Sequence, residues 1–151
     1  MPKASTILLA EDNHDDEVLT VRALNKQLAG VNVVVAHNGI EVLDYLNATG
    51  AYSGRDRSDI PKVLLLDLKM PLMDGLATLR QIRATEHTRL LPVVILTSSD
   101  EQSDQVQSYQ LGANSYVRKP VKFDDFLEAA ARLGVYWLEV NQCPQPMRAS
   151  A

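Results

Sequence analysis

The sequence predicts one doubly wound α/β domain, and three observations carry that expectation. Short continuous apolar runs recur along the chain, each of a length suited to a strand buried on both faces. Longer segments with helical spacing separate them, the rhythm of repeated βα units. The chain has 151 residues, 46% of them hydrophobic and 23% charged, which is length for one well-buried core and hardly for two.

The strands are expected at "STILLA" (Ser5 to Ala10), "VNVVVA" (Val31 to Ala36), "KVLLLD" (Lys62 to Asp67), "PVVILT" (Pro92 to Thr97) and "NSYVRK" (Asn114 to Lys119). Valine and isoleucine enrichment favours strand over helix in these runs. Between them, Asp15 to Leu28 places Val18, Leu19, Ala23 and Leu24 on one helical face, and Gly39 to Asn47 places Ile40, Leu43 and Leu46 likewise. A third helix runs through Leu76, Leu79 and Ile82. Asn38 and Asp74 suit the N-caps of the second and third helices, and Gly112 is placed to end the fourth. Successive βα units cross over right-handed, so the sheet is mostly parallel with helices on both faces.

Two segments break the rhythm. "ATGAYSGRDRSDI" (Ala48 to Ile60) reads as a long, exposed and mobile polar loop, and the tail "QCPQPMRASA" (Gln142 to Ala151) as disordered. Phe126, Ala130, Leu133, Trp137 and Val140 form one apolar stripe, longer than a last helix of this fold requires. Tyr136 and Trp137 are therefore expected at a partner or homodimer surface, the alternative being a bend at Gly134 that folds them back on their own sheet.

The formal net charge of −4 gives no general electrostatic reason to bind nucleic acid or an anionic membrane. Cys143 is the only cysteine, which leaves no intramolecular disulfide and fits a reducing compartment, with cytoplasm the default. The first apolar run stops at Glu11, too short for a signal or a membrane span. His14, His37 and His87 match no ligand pattern and read as surface or loop residues.

In an open parallel sheet, ligands collect beyond the C-terminal ends of the strands. Here those ends carry Glu11 and Asp12, Asp67, Thr97, and Lys119 followed by Pro120. Three clustered carboxylates raise one another's proton affinity unless a cation compensates. Mg²⁺ suits the set, because it takes few carboxylates and accepts phosphate oxygens. Asp67 then becomes a carboxylate nucleophile toward a phosphoryl group, with Lys119 to neutralise phosphoryl charge and Thr97 to donate a hydrogen bond.

"LLAEDN", "LLLDLKMPLMDG", "VVILTS" and "YVRKP", in this order and at these separations, resemble the receiver domain of two-component response regulators. The resemblance implies a flavodoxin-like (βα)5 fold with strand order 2-1-3-4-5, a receiver over residues 5–133 and a C-terminal extension over 134–151. It implies that Asp67 is the phosphoacceptor, that Asp12, Asp67 and the Lys69 carbonyl ligate Mg²⁺, and that Glu11 holds metal-bound water. Lys119 would bind the phosphoryl group, the Lys119–Pro120 peptide would be cis, and Thr97 with Tyr116 would form the switch pair. Backbone N–H groups of Leu68, Lys69 and Ser98 would complete the phosphoryl cradle. A lysine at position 69, two after the acceptor, leaves the phosphoryl lifetime open.

Nothing after the fifth helix reads as an effector domain, so output is expected through protein contacts. The long insertion and "YWLEV" resemble the stand-alone regulators of cyanobacterial phytochromes, which implies a phytochrome-type histidine kinase as partner, a homodimer and an unidentified downstream protein. The alternatives are a binding module that keeps the fold without phosphorylation, and a phosphatase of the haloacid dehalogenase class. The latter needs a second aspartate where Lys69 stands. A flavin binder would need a hydroxyl-rich and N–H-rich phosphate loop where this chain has acids.

Overall fold

The structure is a computed structural model and describes residues 5–144. Its elements alternate strictly: β1 (Thr6–Ala10), α1 (His14–Gln27), β2 (Asn32–Ala36), α2 (Gly39–Asn47), β3 (Val63–Leu66), α3 (Gly75–Ala84), β4 (Val93–Thr97), α4 (Gln102–Gln110), β5 (Ser115–Arg118) and α5 (Phe123–Val135). The strands pair in parallel in the order β2-β1-β3-β4-β5, as the resemblance implied. After β2 the chain returns to the other side of β1, so the order reverses between β1 and β3, where Ala10 lies beside Leu66.

Alternation along the strands divides the aliphatic residues between two layers. Leu8, Ala10, Leu64, Leu66, Val93 and Ile95 face α2 and α3, where Val42, Leu46, Leu79 and Ile82 meet them. Ile7, Leu9, Val63, Leu65 and Val94 face the opposite way, onto Leu24, Leu28 and Trp137. The central strand β3 is buried along its whole length, which explains its uninterrupted aliphatic run.

Helix starts follow local chemistry. Asn13, Asn38 and Asp74 each accept a hydrogen bond from the backbone N–H three residues on, satisfying one orphan donor of α1, α2 and α3. Gly112, in the left-handed region, follows the last turn of α4. The buried helical faces are rotated from the expected ones: Val18 and Ile40 are exposed, while Thr20 and Val42 are fully buried. Burial of Thr20 costs little because its hydroxyl donates to the Asp16 carbonyl at 2.7 Å.

The segment from Ala48 to Ile60 is anchored. It opens with a 3₁₀ turn (Gly50–Tyr52), Tyr52 packs edge-to-face on Tyr45 at 5.1 Å, and the Arg55 guanidinium lies 3.8 Å over the Tyr45 ring. Arg55 also donates to the carbonyls of Tyr45 and Asp59, so one side chain serves an otherwise polar loop.

At the C-terminal end, α5 runs on into a π-helical turn (Tyr136–Val140) without a bend at Gly134. A Cβ on Gly134 would sit 2.6 Å from Leu24 Cδ2 and 2.8 Å from Leu28 Cδ1, so this glycine lets α5 lie close against α1. Trp137 is only 9% exposed and belongs to the layer with Ile7, Leu9 and Val94. Its expected place at a partner surface is therefore corrected: an indole buries more apolar area against its own sheet than a lone surface anchor leaves free. Tyr136 and Val140 are the large apolar residues of that turn left exposed, with Glu139 between them. Gln142 to Pro144 are described, whereas the rest of the expected disordered tail, 145–151, lies outside the described residues.

Candidate functional site

The crevice at the C-terminal ends of β1, β3, β4 and β5 collects the polar residues that the strand ends promised. Glu11 follows β1 and is 2% exposed; its N–H donates to the Ala36 carbonyl at 2.9 Å, and its Oε2 accepts from the Asn13 N–H at 3.1 Å. Asp67 follows β3 and is buried, its N–H donating to the Ala10 carbonyl at 3.1 Å. Asp12 is exposed at the rim. Oxygens of Glu11, Asp12 and Asp67 all lie within 4.8 Å of one another, a spacing that one cation can bridge.

Gly75 holds the loop after Asp67 in place from below. A Cβ there would meet the Asp67 carbonyl oxygen at 2.4 Å and Leu68 Cα at 2.8 Å, and its N–H donates to the Leu68 carbonyl at 2.9 Å. The first turn of α3 thus abuts the backbone at Asp67.

Lys119 reaches the cluster from the end of β5. Its N–H donates to the Thr97 carbonyl at 2.7 Å, and its ammonium donates to Glu11 Oε1 at 2.5 Å, Asp16 Oδ2 at 2.8 Å and Asp67 Oδ2 at 3.0 Å. Burial would lower its pKa, but the hydrogen bonds to Asp16 and Glu11 and the charge of Asp67 outweigh burial and hold it above the ordinary lysine value. Burial pushes the Glu11 carboxyl up to about 7, with the Lys119 hydrogen bond opposing and the Asp67 charge reinforcing the rise.

Asp16 is the residue that sequence reading missed. It is in the first turn of α1, four residues after Asp12, and its N–H is held by the Asn13 cap. An acid on the first turn of a helix that starts at the crevice was the available signal.

Among the described residues no peptide bond is cis, so the expected cis Lys119–Pro120 bond is corrected to trans. The trans form is the more stable for an X–Pro bond by about 0.5–1 kcal/mol, and in it Lys119 already makes every contact above. Thr97 is fully buried, with its Oγ1 3.4 Å from the Ser99 N–H. The Tyr116 ring is half-buried, and its hydroxyl donates to the Ser99 carbonyl at 3.0 Å, so Thr97 and Tyr116 both border the loop after β4. Lys69 and Ser98 are exposed beside the crevice. The histidines stand apart from it chemically: His14 is exposed, His37 pairs with Glu17 at 2.7 Å, and His87 lies 3.0 Å from the Leu46 carbonyl.

The arrangement has clear relatives. Rcp1, a response regulator of Synechocystis sp., is 30% identical over 138 residues, 91% of this chain and 92% of its own length. The structure of the Mn²⁺-bound form of Rcp1 superposes with a TM-score of 0.85 at 29% identity, over 93% of this chain and 99% of that one. The phosphorylated cyanobacterial phytochrome response regulator RcpA gives a TM-score of 0.87 at 30% identity, with 93% of this chain and 99% of that one covered. The bacteriophytochrome response regulator AtBRR is 51% identical, with a TM-score of 0.72 over 93% of this chain and all of its own, 100%. The family profile described as the response regulator receiver domain matches residues 7–131. With strand order, acid cluster and lysine in agreement, the chain belongs to the response regulator receiver domain family.

Proposed function

We propose that this receiver is a phosphorylation switch that loads one phosphoryl group on Asp67 from a sensor histidine kinase. The observation that carries the reading is the convergence of Glu11, Asp12 and Lys119 on Asp67, a buried carboxylate at the mouth of the crevice. The three carboxylates are hard oxygen donors of the kind Mg²⁺ takes, so Asp12 and Asp67, with the Lys69 carbonyl, would hold it, and Glu11 would hold its water. Bound Mg²⁺ supplies charge neutralisation for the carboxylates and the incoming phosphoryl oxygens.

The chain's own residues do the rest. An Asp67 carboxylate oxygen forms a bond to phosphorus while the bond from phosphorus to the donor imidazole nitrogen breaks, and the electron pair leaves with that nitrogen. Lys119 donates to a phosphoryl oxygen, and the Thr97 hydroxyl and the N–H groups of Leu68, Lys69 and Ser98 line the remaining side. Movement of Thr97 toward the phosphoryl group changes the loop to which the Tyr116 hydroxyl is bonded, and shifts the population of the α4–β5–α5 face.

The relatives named as phytochrome and bacteriophytochrome regulators support a phytochrome-type kinase as the donor. Output goes to a downstream protein by contact, and the exposed Tyr136 and Val140 support a homodimer through the end of α5. Among the described residues no helix is long and apolar enough to cross a membrane, in keeping with a cytoplasmic partner for such a kinase. The phosphatase alternative lacks its general acid, because Lys69 occupies that position. Incubation with labelled acetyl phosphate and Mg²⁺ is expected to add one base-labile phosphoryl group, lost with chelator and in Asp67→Asn. No incorporation into the wild type would remove the switch reading.

A further inference from the structure

Lys119 has no donor to spare. An ammonium carries three N–H groups, and here they are taken by Glu11, Asp16 and Asp67. The N–H now on Asp67 can pass to the phosphoryl group that Asp67 carries, so any further contact from Lys119 to that group has to be released by Glu11 or Asp16.

The three acceptors differ in what release costs. The Glu11 side chain is 2% exposed, and losing its cation would strand a buried carboxylate. Asp67 is the group being loaded, and its side chain is 9% exposed. The Asp16 side chain is 25% exposed, so water can replace the ammonium there at small cost. Asp16 also stands outside the group of converging carboxylates formed by Glu11, Asp12 and Asp67, which separates it from metal ligation. Its backbone is fixed on both sides, the N–H by Asn13 Oδ1 at 3.0 Å and the carbonyl by the Thr20 hydroxyl at 2.7 Å. A carboxylate fixed in this way holds Lys119 from across 103 residues of chain.

From this geometry we infer that Asp16 is a positioning residue: it tethers Lys119 in the unloaded protein and competes with the phosphoryl oxygen for its ammonium. The tether sets how readily Asp67 is loaded. It also adds a fourth negative charge beside a site that must admit an anionic donor.

This inference rests on Asp67 being the acceptor, and the experiment keeps the two apart. Wild type, Asp16→Asn and Asp16→Glu are titrated with beryllofluoride, a phosphoryl mimic, at saturating Mg²⁺, and separately loaded with acetyl phosphate, whose acetate leaves as Asp67 takes the phosphoryl group. Asp16→Asn is expected to half-saturate at about fivefold lower beryllofluoride, the size of effect for one partly buried ion pair, and to load faster. Asp16→Glu should return the wild-type value, with Mg²⁺ affinity in the absence of the mimic within about twofold of wild type in both variants. A merely supporting residue would show the opposite, since its loss loosens the site. Asp16→Ser is run beside Asp16→Asn so that a folding failure in one leaves the other to decide. Equal or weaker beryllofluoride binding in the charge-removing variants, with wild type loading normally, overturns the tether alone. A wild type that takes neither beryllofluoride nor phosphoryl overturns the acceptor reading and the tether with it.

Discussion

Glu11 and Lys119 are the residues whose chemistry is most altered by their surroundings, and they are altered by each other. Burial is the main cause that pushes the Glu11 carboxyl up from its ordinary 4.5 to about 7. The sign follows. An acid whose pKa is raised by folding favours the fold while protonated, so stability falls as pH rises from about 4.5 to about 7 and is level above that with respect to this group. Lys119 is held above the usual lysine range, so its contribution is constant through that window and is lost only in strong base. Glu11 would hold metal-bound water as a carboxylate, so Mg²⁺ affinity, measured by calorimetry, should rise as the pH rises toward 7 and then level off, and Glu11→Gln should flatten the profile. A flat profile in the wild type would contradict the coupling. Asp12, Asp67, Thr97 and Lys119 were legible in the sequence because strand ends put them on one edge. Asp16 was not, because its partner is 103 residues away and no local pattern announces it.

Elements are held in register by a few polar side chains that cross between them. Arg83, near the end of α3, donates to the carbonyls of Arg89 at 3.1 Å, Leu91 at 2.8 Å and Gly112 at 2.8–3.0 Å, and to Asn114 Oδ1 at 3.0 Å. Asn114 Oδ1 in turn accepts from the Val93 N–H at 2.8 Å. One guanidinium thus joins α3 to the entries of β4 and β5, in surroundings where burial lowers its pKa. Arg83→Met is expected to cost about 2–3 kcal/mol in urea unfolding, through carbonyls left without partners, while Arg83→Lys recovers only part because an ammonium lacks the planar fork. A loss below about 0.5 kcal/mol would place the fixing of these loops elsewhere. Strand positions were readable because burial on both faces leaves a continuous aliphatic run. The helical face at Val18 was not, because a threonine whose hydroxyl bonds back to its own helix can replace an aliphatic in the core, and in α2 the apolar residues Ile40 and Val42 competed for the inner face. No local pattern marks Arg55 or Arg83, because their carbonyl partners are brought to them only by the fold.

At the scale of the molecule, the packing of α1 against α5 decides what the C-terminal turn presents. Gly134 brings the helices together, Trp137 completes the inner layer, and Tyr136 stacks edge-on to it at 5.0 Å while facing outward. Trp137→Ala is therefore expected to destabilise the monomer by about 3–5 kcal/mol. Tyr136→Ala should cost far less in stability, and, if α5 forms the homodimer face, weaken self-association in sedimentation equilibrium. Reversal of the two effects would contradict the assignment of inner and outer aromatic. The apolar stripe told that this segment packs, and could not tell against what, because an indole suits its own sheet and a partner surface equally until the α1 face is known.

These scales meet at Asp67, whose buried central strand fixes it beside the acids and within reach of Lys119. The most direct test is to load the protein with acetyl phosphate and Mg²⁺, reduce the acyl phosphate with borohydride, and locate the resulting homoserine by peptide mass spectrometry. Conversion at position 67 alone, dependent on Mg²⁺, is the expected result. Conversion at Asp12 or Asp16 in its place, or none at all, would contradict the account.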